Sequence, residues 1–277
     1  MAAPLPYRYL FGPVHSRRMG WSLGVDVTPA KACSFNCRFC QSGITDCLTV
    51  LRRPYVPTRA VLAEFGRWMK TGVAVDYVTL AGAGEPTLHS ELDRILDGIR
   101  KRSAFPLALL SNGSLFDRPE VRHAAAKADV VKVSLSAWDQ KSFRAINHPH
   151  PSLKFNRILY GLKQFRNEFK GRLWVEVMVV KGFNDRTSMM RSIASQVRRI
   201  KPDQVQLNTV VRPPADTKAK PVSQARLSVL ARLFRPLPVL VIAGHHPPKR
   251  IVSGAGSLSI PSDATIRQLV KRHPSTA

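Results

Sequence analysis

Between residues 23 and 242 short apolar runs alternate with stretches of helical periodicity, and that alternation restricts the fold more than any other feature of the chain. The runs lie at 23–27, 75–80, 107–110, 130–135, 174–180 and 205–208, with a last one at 239–242. Each of the first six is followed by a helical pattern, at 57–70, 90–101, 119–128, 152–169, 187–200 and 223–234. In 90–101, for example, Leu92, Ile95, Leu96 and Ile99 fall on one face. Strand–helix units in series predict parallel strands joined by right-handed crossovers. The expected fold is therefore α/β, a partial (β/α)6 TIM-like barrel, with an open doubly wound sheet as the alternative. The chain is expected to divide into a core domain over 1–245 and a loop with a short C-terminal helical extension over 246–277.

Both architectures put function at the carboxyl ends of the strands. The chemically distinctive residues fall there: Cys33 to Cys40 after the first strand, Gly84-Glu85-Pro86 after the second, Ser111-Asn112 after the third, Ser136 after the fourth and Asn208 after the sixth. Cys33, Cys37 and Cys40 form a C-x3-C-x2-C segment, and Cys47 is the fourth cysteine of the chain. Three thiolates on a compact loop suit iron or zinc. On an iron–sulfur cube they leave one iron without a protein ligand, open to a substrate-like molecule. The alternatives are structural zinc, a disulfide, or four-cysteine electron transfer through Cys47. Zinc sites usually show a second ligand pair, and none is visible. For Gly84-Glu85-Pro86 the alternative is a plain surface turn. For Ser111, Asn112, Ser136 and Asn208 it is capping of strand ends.

The 277 residues are enough for one large domain, alone or with a small appendage. No apolar run approaches the roughly 18 residues of a membrane span. The first ten residues lack a long apolar segment, so no signal peptide is expected. Clustered cysteines without a spread framework suit a reducing cytoplasm. Charge is the outlier, with 43 Lys and Arg against 18 Asp and Glu, formally +25. Such a field attracts polyanions, and RNA is the first candidate partner. The basic residues are spread along the chain, which also fits solvated helices with no such partner.

The cysteine loop with aromatic Phe39, the Gly84-Glu85-Pro86 turn and the serial β/α pattern resemble the radical S-adenosylmethionine (SAM) superfamily over about residues 20–240. Within it, Phe11-Gly12-Pro13-Val14-His15-Ser16-Arg17-Arg18, Cys40-Gln41-Ser42-Gly43-Ile44-Thr45, Val180-Lys181-Gly182-Phe183-Asn184-Asp185 and 206–214 are similar to a branch related to wyosine-type tRNA-modifying synthetases. The resemblance implies an enzyme with two cofactors. Cys33, Cys37 and Cys40 would ligate a 4Fe–4S cluster, and SAM would bind its open iron. SAM would be cleaved reductively to a 5′-deoxyadenosyl radical, with electrons from a reductant such as flavodoxin or ferredoxin. Gly84, Glu85, Ser111, Asn112, Ser136, Asn208 and Phe39 would contact SAM or shield the cluster. Glu85 would accept a hydrogen bond from the SAM amino group.

Two departures matter. Ser134-Leu135-Ser136-Ala137 has a serine where relatives often carry an acid, so no ribose contact from a carboxylate is expected there. No residue upstream of Cys33 is cysteine, so the second cluster of wyosine-type synthetases has no ligands in this chain. Cys47 reads as a spare cysteine, with an active-site hydrogen-atom or thiol donor as the alternative. His245-His246 does not read as a metal site, because adjacent residues on an extended chain point to opposite faces. The segment 266–274 resembles the opening of a small helical nucleic-acid-binding module that stops after one helix. The substrate options are RNA or tRNA, or a small molecule or peptide. A non-catalytic iron–sulfur or zinc protein that binds nucleic acid is the rival from another class.

Overall fold

A computed structural model describes residues 7–16 and 18–242. The expected extension over 246–277, its helix and His245-His246 lie outside the described residues.

One sheet organises the molecule. Its strands are β1 (Leu10–Ser16), β2 (Gly20–Val25), β5 (Tyr77–Leu80), β6 (Leu107–Ser111), β7 (Val130–Ser134), β8 (Arg172–Val179), β9 (Gln204–Thr209) and β10 (Val239–Ile242), in that spatial order. All neighbours from β2 to β10 pair in parallel, and β1 closes one edge as an antiparallel hairpin with β2. A separate pair joins β3 (Ala32–Cys33) to β4 (Cys47–Leu48). The helices are α1 (Thr58–Met69), α2 (Leu92–Arg100), α3 (Pro119–Ala125), α4 (Gln140–Asn147), α5 (Phe155–Glu168), α6 (Thr187–Ile200) and α7 (Gln224–Ala231). The sheet curls into a half-barrel, so the partial TIM-like expectation holds.

Alternation along the strands decides what each face meets. Val78, Leu80, Leu107, Leu109, Val131, Val133, Val175 and Leu207 project outward and pack in the main core. Opposite that core are Ser22, Thr79, Lys132, Ser134, Glu176, Gln206 and Asn208, on the concave face.

Strand β1, helix α4 and the short β3–β4 pair were not expected. The β1–β2 hairpin hides behind Gly12-Pro13, and its register shifts between Phe11 and Val14. Gly24 opposite Phe11 has no side chain, which makes room for the Phe11 ring. Helix α4 is too short for a clear apolar period. It is started by a capping box in which Asp139 receives the Ser142 N–H and Ser142 Oγ receives the Asp139 N–H.

Candidate metal and cofactor site

The cysteine loop leaves the end of β2 and is bound on three sides. Asp26, just past β2, accepts from Thr28 N at 2.9 Å and from Ala83 N at 3.2 Å, tying the loop to the glycine-rich turn after β5. In that turn Glu85 N donates to Ala32 O at 2.9 Å. Gly84 lies so close that a Cβ there would collide with the Ala32 carbonyl oxygen. Arg52 braces the turn from behind, donating to the carbonyls of Thr87, His89 and Ser90. From the other side the 212–221 loop seals the segment. Ala215 N reaches Cys40 O and Asp216 N reaches Arg38 O, both at 2.9 Å. Arg38 also pairs with Asp216 and lies over the Phe183 ring.

Two of the three thiols receive N–H donors. Asn112 Nδ2 donates toward Cys33 Sγ at 3.6 Å, and Phe35 N reaches the same sulfur at 3.5 Å. Asn147 Nδ2, from α4, reaches Cys37 Sγ at 3.3 Å. Donors aimed at sulfur are what a metal thiolate requires of its surroundings. Without metal, burial and the nearby Glu85 charge push the Cys33 thiol up to about 12. Burial, then Cys40 and Cys33, push Cys37 well up too. Lys31 is 1% exposed, and its ammonium donates to the Gly43 carbonyl. Its charge lowers the Cys37 value in part. Among the described residues no three His, Cys, Asp or Glu side chains, these thiols included, are placed to hold a single metal ion. Cys47 is exposed on β4, beside Ala32 in the short pair.

Glu85 is the hub between this loop and β6. Its Oε1 accepts from Thr87 N at 3.1 Å, Thr87 Oγ1 at 2.6 Å and Ser111 Oγ at 2.7 Å. Its Oε2 accepts from Asn112 N at 2.6 Å. Burial raises the Glu85 carboxyl, and these donors oppose that rise. Only Oε2 keeps a lone pair for an outside donor. Asn112 also reaches Ser34 Oγ at 2.9 Å, which in turn bonds Ser114 Oγ. One buried hydroxyl in this region, Thr28 Oγ1, has no partner.

Cys33, Cys37, Cys40, Gly84, Glu85, Ser111 and Asn112 thus meet at one end of the barrel. Phe39 stands at the rim and packs with Met178, Val180 and Phe183. Ser136 is joined to the scaffold: its Oγ accepts from Met178 N at 3.0 Å, and its carbonyl accepts from Asn184 at 2.8 Å. Asn208 lies inside the barrel and donates to Glu176. Sequence reading missed Asp26, Ser34, Asn147 and the Arg18–Lys132–Glu176 group. A signal existed for the last. Lys132 and Glu176 are charged residues in otherwise apolar strands, Val-Val-Lys-Val and Trp-Val-Glu-Val, which marks an inward position.

The chain is similar to several known proteins. The chain is 35% identical over 230 residues to a protein named GTPase Obg of Brachyspira hyodysenteriae, spanning 83% of this chain but only 34% of that protein. It is 33% identical over 270 residues to a UPF0026 protein of Helicobacter pylori, spanning 97% of this chain and 85% of that relative. Among solved structures, TYW1 with a lysine–pyruvate adduct bound shares the fold with a TM-score of 0.60 at 20% identity, over 77% of this chain and 72% of that one. The family model described as Radical SAM superfamily matches residues 27–192, the stretch that holds the cysteine loop, the Gly84-Glu85-Pro86 turn and strands β5 to β8 of the barrel. By that match the chain belongs to the radical SAM superfamily, enzymes that generally work with an iron–sulfur cluster and SAM.

Proposed function

We propose that this enzyme binds a 4Fe–4S cluster through Cys33, Cys37 and Cys40, cleaves SAM reductively there, and acts on RNA, tRNA included. The observation that carries the reading is the set of N–H donors directed at Cys33 and Cys37 beside the Glu85 turn. When bound, cluster and SAM supply a 5′-deoxyadenosyl radical for hydrogen abstraction, with electrons from a flavodoxin or ferredoxin.

The chain's own residues bind and orient. Gly84 offers bare backbone for close approach. The free lone pair of Glu85 Oε2 would accept a charge-assisted hydrogen bond from the SAM amino group. Asn112 holds Cys33 and Ser34 in place, and Phe39 keeps water from the cluster side of the rim. Ser111 positions Glu85, Ser136 positions the ends of β7 and β8, and Asn208 positions Glu176. RNA is favoured as substrate by the net charge of +25.

Anaerobic reconstitution tests the reading. About four irons per chain are expected. The reduced protein should give an EPR signal that changes on adding SAM, and 5′-deoxyadenosine should form with dithionite. Cys37→Ala should lose iron and product together. Bound zinc, or a cluster indifferent to SAM, would refute the assignment. Affinity for tRNA should fall steeply with salt. An unchanged nucleoside profile in a deletion strain would move the substrate to a small molecule or peptide. Among the described residues no helix is long and apolar enough to cross a membrane, and the cytoplasm is the compartment we propose.

A further inference from the structure

The concave face carries a charge imbalance that the chemistry of the rim does not use. Lys132 on β7 donates to Glu176 Oε2 on β8 at 2.7 Å. Arg18, from the β1–β2 turn, donates to Oε1 of the same carboxylate, and Asn208 on β9 reaches that oxygen at 3.1 Å. Burial by itself would raise the Glu176 carboxyl, but Lys132 and Arg18 outweigh it and hold it at about 2. The carboxylate is therefore ionised. Among the described residues neither cation has another ion-pair partner. Two positive charges share one negative charge, where Lys132 is 8% and Glu176 7% exposed.

One cation would be enough to tie the hairpin turn to the barrel. The second leaves an excess charge of +1 beside a buried carboxylate; Arg18 keeps 17% of its side chain exposed, and a bound anion would neutralise that excess. Two polar atoms of the same region lack partners, Arg18 Nε and Gln206 Oε1. Gln206 is the register neighbour of Glu176 and is fully buried. So the group combines excess positive charge with a spare donor and a spare acceptor. Glu176 lies three residues before the end of β8, about 10 Å below the rim at 3.3 Å per residue. A small molecule spans that depth.

We propose that Arg18 and Lys132, held by Glu176, form an oxyanion subsite on the concave face of the barrel. It takes the carboxylate or phosphate of a small ligand, and Gln206 accepts from a hydroxyl or amine beside that group. Identifying this ligand as a substrate rests on the radical SAM reading above. The subsite itself needs no cluster.

The test uses the full chain without cluster, titrated with inorganic phosphate, acetate and uncharged acetamide. Calorimetry and tryptophan fluorescence report binding, since Trp174 adjoins Lys132 in register on the same face. Phosphate or acetate should fill one saturable site, the tighter of the two naming the ligand's acid group, and acetamide should not bind. Lys132→Met should weaken binding by about tenfold or more. Glu176→Gln, which removes the negative charge, should tighten it. Arg191→Gln, which removes an exposed charge, should change nothing. No saturable site in the wild type overturns the proposal. So does equal affinity in Lys132→Met, or equal weakening by Lys132→Met and Glu176→Gln, which marks a mere brace. If Lys132→Met does not fold, Arg18→Gln replaces it with the same expectation, and the wild-type contrast with acetamide still decides. Anion binding without 5′-deoxyadenosine formation refutes the radical reading and leaves the subsite standing. The opposite result refutes the subsite alone.

Discussion

On the outward side of β7, β8 and β9 stand Val131, Val133, Leu173, Val175, Val177, Val205 and Leu207, all fully buried. On the inward side of the same strands stand Lys132, Ser134, Trp174, Glu176, Gln206 and Asn208. The backbone is shared, and so is the parallel pairing. Only the parity of the position differs. Helices cover the outward face, so its residues are selected for volume and hydrophobicity. The half-barrel leaves the inward face without a helical layer, which is where charge can be used. The comparison teaches that an apolar run in this chain is a statement about one face, and a charged residue inside it is a statement about the other.

Substitutions can break or sharpen that contrast. The largest stability effect is expected outward. Leu207→Ala should cost about 2–5 kcal/mol in denaturant unfolding, from lost burial and a residual cavity. Iron content and SAM cleavage per folded molecule should be unchanged. A drop in cleavage at full folding would show that the faces are not separable. Next comes the rim, where both faces end. Gly84→Ala forces a Cβ against the Ala32 carbonyl, backbone against backbone, and should cost about 1–3 kcal/mol. Unlike Leu207→Ala it should also impair cluster retention, read as iron per chain, because Ala32 adjoins Cys33.

The smallest effect, per pH unit, is expected inward. The folded Glu176 carboxyl lies at about 2, below its ordinary 4.5. A depressed acid adds stability that is present above its unfolded value and lost as pH falls toward the folded one. Wild-type stability should therefore fall more steeply than that of Glu176→Gln between about pH 4.5 and 2, by at most about 1.4 kcal/mol per pH unit. Parallel curves would mean that the charge group contributes nothing to the folded state.

Much of this was legible in residues. The strand and helix runs from 57 to 242 stand close to their expected bounds because each has a clear period and a buried side. Cys33, Cys37, Cys40, Gly84, Glu85, Ser111 and Asn112 meet where the strand-end rule put them. The illegible parts have local causes. Pro13 and the shifted register mask β1, and α4 offers little apolar periodicity beyond Phe143 and Ile146. Asn147 could not be tied to Cys37 by sequence, because 110 residues separate them.

The sequence by itself determined the family, the parallel half-barrel and the loop that bears the thiols, because these rest on local periodicity and on spacing within one short segment. Only the tertiary structure decided the roles. It tied the Ser136 hydroxyl to Met178 N, bound three of the four Glu85 donors to a single oxygen, and brought Arg18, Lys132, Glu176 and Asn208 together from four places in the chain. Curling of the sheet is the reason. It converts positions far apart in sequence into neighbours on one concave surface, and a charge there is fixed by the partners it meets.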